Sequence, residues 1–206
     1  MAKRPYYYVA KNQRVCEKDV DFVWHSGLSA SQKKKNVEEL HKASGMNLLE
    51  VSTKSNEPLG EKLSAFRLPY RDSTVENYYQ AGKIFENGGP YEDLIHKSPK
   101  EAKRDERLKE SGKIAGFYDY ETGETWYSSA FYYFLYINAV RETLSEEEIK
   151  QLVSYDGYTD IEFNPATGMN TQAKACAMIK LLVGIFGDIP KMNKDEFERI
   201  YQNIMY

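Results

Sequence analysis

Apolar and polar positions alternate in short runs through the first part of the chain. Tyr6 to Ala10 and Val20 to Trp24 are aromatic and β-branched, which predicts two short strands. Ser29 or Ser31 then caps a helix that runs to about Ser44 and stops at Gly45, with Val37, Leu40 and Ala43 at helical spacing. Leu48 to Ser52 and Lys62 to Leu68 predict further strands. Ser73-Thr74-Val75-Glu76 reads as a capping box, opening a helix that ends at Gly88-Gly89-Pro90. A second box, Ser98-Pro99-Lys100-Glu101, opens a helix that ends at Gly112. Ile114 to Tyr120 and Thr125 to Tyr127 flank a hairpin turn at Glu121-Thr122-Gly123-Glu124. Ser128 to Val140 is apolar on several faces and predicts a buried helix. Ser145 caps another helix, which ends near Ser154. Tyr155 to Met169 reads as a loop. Asn170 then caps a long apolar helix, Thr171 to Phe186, and Asn193 caps the last one. The pattern predicts an α+β fold, helix-dominated, with short strands mainly in the N-terminal half. Neither a repeat nor a linker divides the chain, so residues 1–206 read as a single domain.

Composition narrows the possible chemistry. The chain has 206 residues, 41% hydrophobic and 29% charged, enough to bury a core without staples. Its two cysteines, Cys16 and Cys176, exclude a disulfide scaffold and a Cys-x-x-Cys motif. His25, His41 and His96 lack the spacing of a transition-metal site. The most apolar stretch, Met178 to Phe186, is too short for a bilayer, and Met-Ala-Lys-Arg-Pro-Tyr is no secretion signal. The expectation is a cytoplasmic protein without a membrane partner. Net charge is −3: residues 1–110 carry 20 basic and 17 acidic side chains, and residues 111–206 carry 8 and 14. Such a chain lacks strong non-specific affinity for nucleic acid, although local cations can still place a strand in a cleft. The 17 tyrosines read either as core or as stacking surfaces for bases. Lys33-Lys34-Lys35 reads as a solvated first turn or as a phosphate contact.

Two segments carry candidate chemistry. On a helix, Glu76, Tyr79 or Gln80, and Lys83 share one face over two turns, lining up a carboxylate, a phenol or amide, and an amine. Glu76 lies where the helix dipole favours its ionised form, and desolvation of Lys83 would lower its pKa. Gly82 between them leaves room for a ligand. The alternative is a capping Glu76 and a surface Lys83. The second segment, Asp156 to Asn164, leads to Asn170 and a helix N-terminus. There the first-turn N–H groups and Lys174 can hold a diphosphate, while Tyr158 and Phe163 can stack on a base; the alternative is a structural loop with Asn170 as cap. Asp156, Asp160 and Glu162 do not match EF-hand spacing, so no metal is expected.

Val75-Glu76-Asn77-Tyr78-Tyr79-Gln80-Ala81-Gly82-Lys83-Ile84 resembles the signature of the NADAR (YbiA-like) family, approximately S-E-H-Y-F-Q-A-x-K-F. Ser64-Ala65-Phe66, Pro99-Lys100-Glu101-Ala102, Tyr158-Thr159-Asp160 and Gly168-Met169-Asn170 resemble its other elements, so the core of the likeness spans about 48–186. Asn77 stands where His is usual, and Thr159 where Trp or Gly is common. Trp24-His25-Ser26-Gly27-Leu28-Ser29, Glu50-Val51-Ser52-Thr53-Lys54-Ser55, Phe85-Glu86-Asn87-Gly88-Gly89-Pro90-Tyr91 and Tyr158 to Pro165 resemble one branch, the NADAR antitoxins associated with DarT-type toxins. The resemblance implies an N-glycosidase that removes ADP-ribose from guanine bases in DNA, releases free ADP-ribose and counters a DarT-type toxin. It implies Glu76 and Lys83 as catalytic residues. Ser52, Lys54, Phe66, Tyr79, Gln80, Tyr158, Asp160, Asn170 and Lys174 are implied as substrate-binding, with no metal and no cofactor. Two alternatives stay open: an N-glycosidase of early riboflavin-pathway intermediates, and an antitoxin that acts by binding alone.

Overall fold

Tyrosine and valine alternation builds the first element pair. β1 (Ala2–Val9) and β2 (Val15–Phe22) form an antiparallel hairpin, in register from Ala2 opposite Phe22 to Val9 opposite Val15. The computed structural model describes residues 1–27, 29–164, 168 and 170–205. Next come α1 (Ala30–Ser44), β3 (Leu48–Glu50), α2 (Pro58–Lys62), β4 (Pro69–Tyr70), β5 (Ser73–Thr74), α3 (Val75–Gly82) and β6 (Lys83–Phe85). A 3-10 turn (Glu92–His96) precedes α4 (Pro99–Arg104), α5 (Arg107–Glu110), β7 (Ile114–Tyr118), β8 (Thr125–Trp126) and α6 (Ala130–Thr143). The chain ends with α7 (Glu146–Ser154), β9 (Gly157–Thr159), α8 (Gln172–Phe186) and α9 (Lys194–Met205). The fold is α+β with helix in excess of strand.

The chain divides into two compact units. The first comprises Met1–Ser64 with Leu144–Tyr206. Its sheet has the order β2-β1-β9-β3, with β9 antiparallel to β1 and parallel to β3. Tyr6, Val20, Phe22, Val37, Leu40, Leu48 and Ile161 bury together between sheet and α1. The second unit, Ala65–Thr143, holds the antiparallel sheet β6-β7-β8 and the aromatic helix α6. There Tyr79, Phe117 and Phe131 stack in series at 5.4 Å centroid spacings, and Trp126 meets Phe134 at 4.8 Å. These rings, with buried Tyr132, Tyr133 and Tyr136, assign much of the tyrosine excess to core.

Several boundaries depart from the pattern. Lys62 to Leu68 is no strand: Pro58 starts α2 at a position where its missing N–H costs nothing, and Leu63, Ala65 and Leu68 bury without alternation. Asp105 leaves helical geometry at ψ 129°, so the Ser98–Gly112 helix is two short ones. The loop beginning at Tyr155 contains β9, whose three residues are all buried. Thr171, not Asn170, caps α8 by accepting from the Ala173 N–H. Of the resemblance motifs, Leu28, Pro165 and Met169 lie outside the described residues.

Candidate active site

α3 and the residue after it position the acid and the amine in the second unit. The cap is Thr74, whose hydroxyl accepts from the Asn77 N–H, while the Ser73 hydroxyl donates to the Ile95 carbonyl at 2.6 Å. The expected Ser73–Glu76 capping box therefore does not form, and the Glu76 carboxylate is not spent on the helix end. The Glu76 side chain is only 6% exposed. Its Oε1 accepts from Gln80 Nε2 at 2.8 Å and lies 3.6 Å from Lys103 Nζ.

The helix ends at Gly82, not at Gly88, and Lys83 leaves it with extended backbone (φ −62°, ψ 124°). Lys83 Nζ nonetheless turns back and donates to Gln80 Oε1 at 2.7 Å, 4.9 Å above the Tyr79 ring. A Cβ on Gly82 would meet the Tyr118 carbonyl at 2.5 Å and the Phe131 ring at 3.2 Å. The space beside Gly82 is thus filled by the protein itself and is not room for a ligand. Burial pulls the Lys83 amine down to about 8, against the opposing pull of Glu76 and with a smaller push from Lys103. The result is one hydrogen-bonded line, Glu76–Gln80–Lys83, in which the amide is fixed with nitrogen to the acid and oxygen to the amine. Lys103 Nζ lies 4.9 Å from the Phe66 ring and links that residue to Glu76.

Asn77, standing where the family usually has His, is fully buried and structural. Its Nδ2 donates to the Leu94 and Lys97 carbonyls at 2.7 Å each, and its Oδ1 accepts from the Thr74 hydroxyl.

The first unit gathers a different set. Buried Glu50 accepts from the Thr159 hydroxyl at 2.7 Å and the Ile161 N–H at 2.9 Å, with Ser52 a further donor. His41 Nε2 lies 2.8 Å from the Thr159 hydroxyl. That hydroxyl has one proton and gives it to Glu50, so His41 presents Nε2–H. Burial pulls His41 down to about 4. Burial also pushes Glu50 up, and burial followed by the Glu50 charge pushes half-buried Asp160 up to about 8. Asp160 accepts from the Glu162 N–H at 3.1 Å and from the Thr171 hydroxyl at 3.2 Å. Glu162 in turn holds Lys33 at 2.5 Å and Lys54 at 3.8 Å, so one lysine of the Lys33-Lys34-Lys35 run has a carboxylate partner.

Of the expected ligand contacts, the first unit brings Ser52 and Asp160 into this acid network, with Lys54 beside it through Glu162, while Asn170 directly precedes Thr171, whose hydroxyl donates to Asp160. Lys174, half-buried in the first turn of α8, is pulled down by burial and held up by Glu17. Tyr158 is fully enclosed and donates its hydroxyl to the Leu152 carbonyl at 2.8 Å, which makes it a core residue, not a stacking platform. Phe66, Tyr79 and Gln80 gather around Glu76 and Lys83 in the second unit. Glu50, Thr159, His41 and Lys103 enter these networks although the sequence pattern does not single them out as site residues. A carboxylate inside the apolar run Leu48-Leu49-Glu50-Val51 was the available signal for the first. Among the described residues, no group of three or more His, Cys, Asp or Glu side chains is arranged to hold a metal ion.

The Glu76–Gln80–Lys83 line lies on the segment that resembles the NADAR signature. The sequence model of the DarT1-associated NADAR antitoxins matches residues 2–204, and the chain belongs to that family. It is accordingly an antitoxin of the kind paired with DarT toxins. No curated protein matches the chain. Among the described residues, no helix is long and apolar enough to cross a membrane.

Proposed function

We propose that the protein is an N-glycosidase that removes ADP-ribose from guanine bases in DNA and so reverses the action of its toxin in the cytoplasm. The observation that carries this reading is the Glu76–Gln80–Lys83 line. Cleavage of the bond between ribose C1″ and a guanine nitrogen builds positive charge on C1″ and the ring oxygen. The enclosed Glu76 carboxylate opposes that charge in a poorly hydrated setting, where its effect is large. The bonding electrons pass to guanine, and the Lys83 ammonium supplies the proton that neutralises it. A water oxygen then bonds to C1″ and its proton returns to the amine, so the sum is ADP-ribose plus unmodified guanine. An amine titrating near 8 suits proton donation at neutral pH better than an ordinary lysine. Gln80 acts as a positioning residue, since it touches both groups and fixes their orientation.

In the first unit, we place a phosphate contact at the start of α8, with Lys174 as its cation.

The test is an oligonucleotide bearing ADP-ribosylated guanine, with released ADP-ribose measured by mass spectrometry. Release by the wild type, lost in Glu76→Gln, supports the reading. Release of ribose 5-phosphate from riboflavin-pathway intermediates, with modified DNA untouched, would assign the other glycosidase activity. Full protection of cells by a folded, inactive Glu76→Gln protein would assign neutralisation by binding.

A further inference from the structure

The short helix α4 carries cations that the proposed chemistry does not use. Residues 97–113 hold seven basic and four acidic side chains in a chain whose net charge is −3. Asp93 and Asp105 take up two of the seven: Lys97 reaches Asp105 at 2.8 Å, and Arg107 reaches Asp93 at 2.7 Å. Lys100 and Arg104 are different. They lie four residues apart on one exposed face of α4, and they line an open groove of about 690 Å³ with Lys97, Ser98, Glu101 and Asp105. Glu101 is occupied at its own helix start, where it accepts from the Ser98 N–H and hydroxyl. The other side of α4 is anchored: Ala102 buries with Ala81 of α3 and with Leu94 and Ile95. Asn77 ties the preceding turn to α3 through two carbonyls. Lys103, between the two faces, reaches Glu76 at 3.6 Å. The helix that carries the two cations is therefore packed against α3, the helix of Glu76, within one unit.

We propose that Lys100 and Arg104 bind the sugar–phosphate backbone flanking the modified base, and that α4 is the DNA-docking ridge of the protein. This rests on the glycosidase reading above and names how its substrate strand is held. Two exposed cations on one groove, with carboxylates near enough to keep overall affinity low, suit a strand that passes the site without lodging there. Such a ridge carries no base specificity; it sets position and makes binding salt-dependent.

The test is a double charge reversal, Lys100→Glu with Arg104→Glu, in the full chain. Fluorescence anisotropy with an unmodified single-stranded 12-mer is measured at about 50 mM salt and upward, since phosphate contacts are strongest at low salt. Weak binding by the wild type, with a salt slope lowered by about 1.4 in the variant for two lost phosphate contacts, supports the ridge. In turnover, KM for an ADP-ribosylated oligonucleotide should rise roughly tenfold, as for the loss of two surface charge contacts. The rate with ADP-ribosylated deoxyguanosine, which lacks flanking phosphates, should stay unchanged. Equal DNA binding by variant and wild type overturns the proposal. So does lost toxin neutralisation with unaltered DNA binding, which would make α4 a protein contact. Because the anisotropy needs no catalysis, failure of the glycosidase reading is seen separately, as inactivity of the wild type on both substrates.

Discussion

Glu76 and Lys83 are held by the same amide yet answer to substitution differently. Glu76→Gln keeps an oxygen for Gln80 Nε2 and leaves the Thr74 cap untouched, so folding should be preserved. Activity should fall on the order of 100-fold or more, as when one preorganised electrostatic group is removed; full activity in a folded variant would reduce Glu76 to an ion-pair partner of Lys103. For Lys83 the sign of the pH dependence separates the possible roles. The ammonium form exists below its pKa, so with the amine near 8, kcat/KM should be level below that pH and fall tenfold per unit above it. A rate that climbs through pH 8 would instead require the neutral amine, attacking the ring-opened sugar as a nucleophile. Borohydride during turnover would then trap a mass adduct on Lys83.

At the level of elements, α3 is oriented as much by Asn77 as by its apolar face. Asn77→Ala would take one donor from the buried Leu94 carbonyl, which keeps the Lys97 N–H, and one from the part-buried Lys97 carbonyl, at a cost of about 1–3 kcal/mol. Urea denaturation should show a lower midpoint with an unchanged slope. An unaltered midpoint would mean that water replaces both bonds. The same helix shows what a sequence can and cannot tell. The Ser98–Glu101 box forms as expected and the Ser145 cap proves reciprocal with Glu148, because both partners lie within one turn. At α3 two candidate caps are adjacent, and Ser73 is drawn to the Ile95 carbonyl 22 residues away, a partner that no local pattern reveals. The helix end shifted from Gly88 to Gly82 because Lys83–Phe85 pairs with β7, and β9 was hidden because three residues depend on two distant strands. Glu76, Gln80 and Lys83 were legible as a cluster from their spacing, although Lys83 reaches it from outside the helix.

For the whole molecule, buried titrating groups shape stability against pH, and their signs can be worked out. A carboxyl raised in the folded state contributes stability that is full below the unfolded value near 4 and is lost as pH rises: for Asp160 toward about 8, and for Glu50 in the same direction. His41, lowered from 6.5 to about 4, works the other way: the unfolded chain binds its proton more readily, so stability grows as pH rises across that interval. His41 and Asp160 oppose one another from about 4 to 6.5, and above 6.5 the Asp160 effect remains. Lys83, lowered from 10.5 to about 8, adds stability only as pH climbs between those values. Thermal stability should therefore decline between about pH 6.5 and 8 and recover in part toward pH 10. The decline should be on the order of 1 kcal/mol, since one proton over this interval sets the ceiling and Asp160 is partly open to water. Asp160→Asn removes the titrating acid: its single oxygen accepts from the Glu162 N–H, and its NH2 takes the position facing Thr171, whose hydroxyl oxygen becomes the acceptor. Its melting temperature should exceed that of the wild type by a few degrees at pH 8 and converge with it below about pH 4. Calorimetry across that range decides the matter: a constant offset at every pH would make the effect one of packing, and a variant less stable at pH 8 would show that Asp160 is ionised in the folded protein.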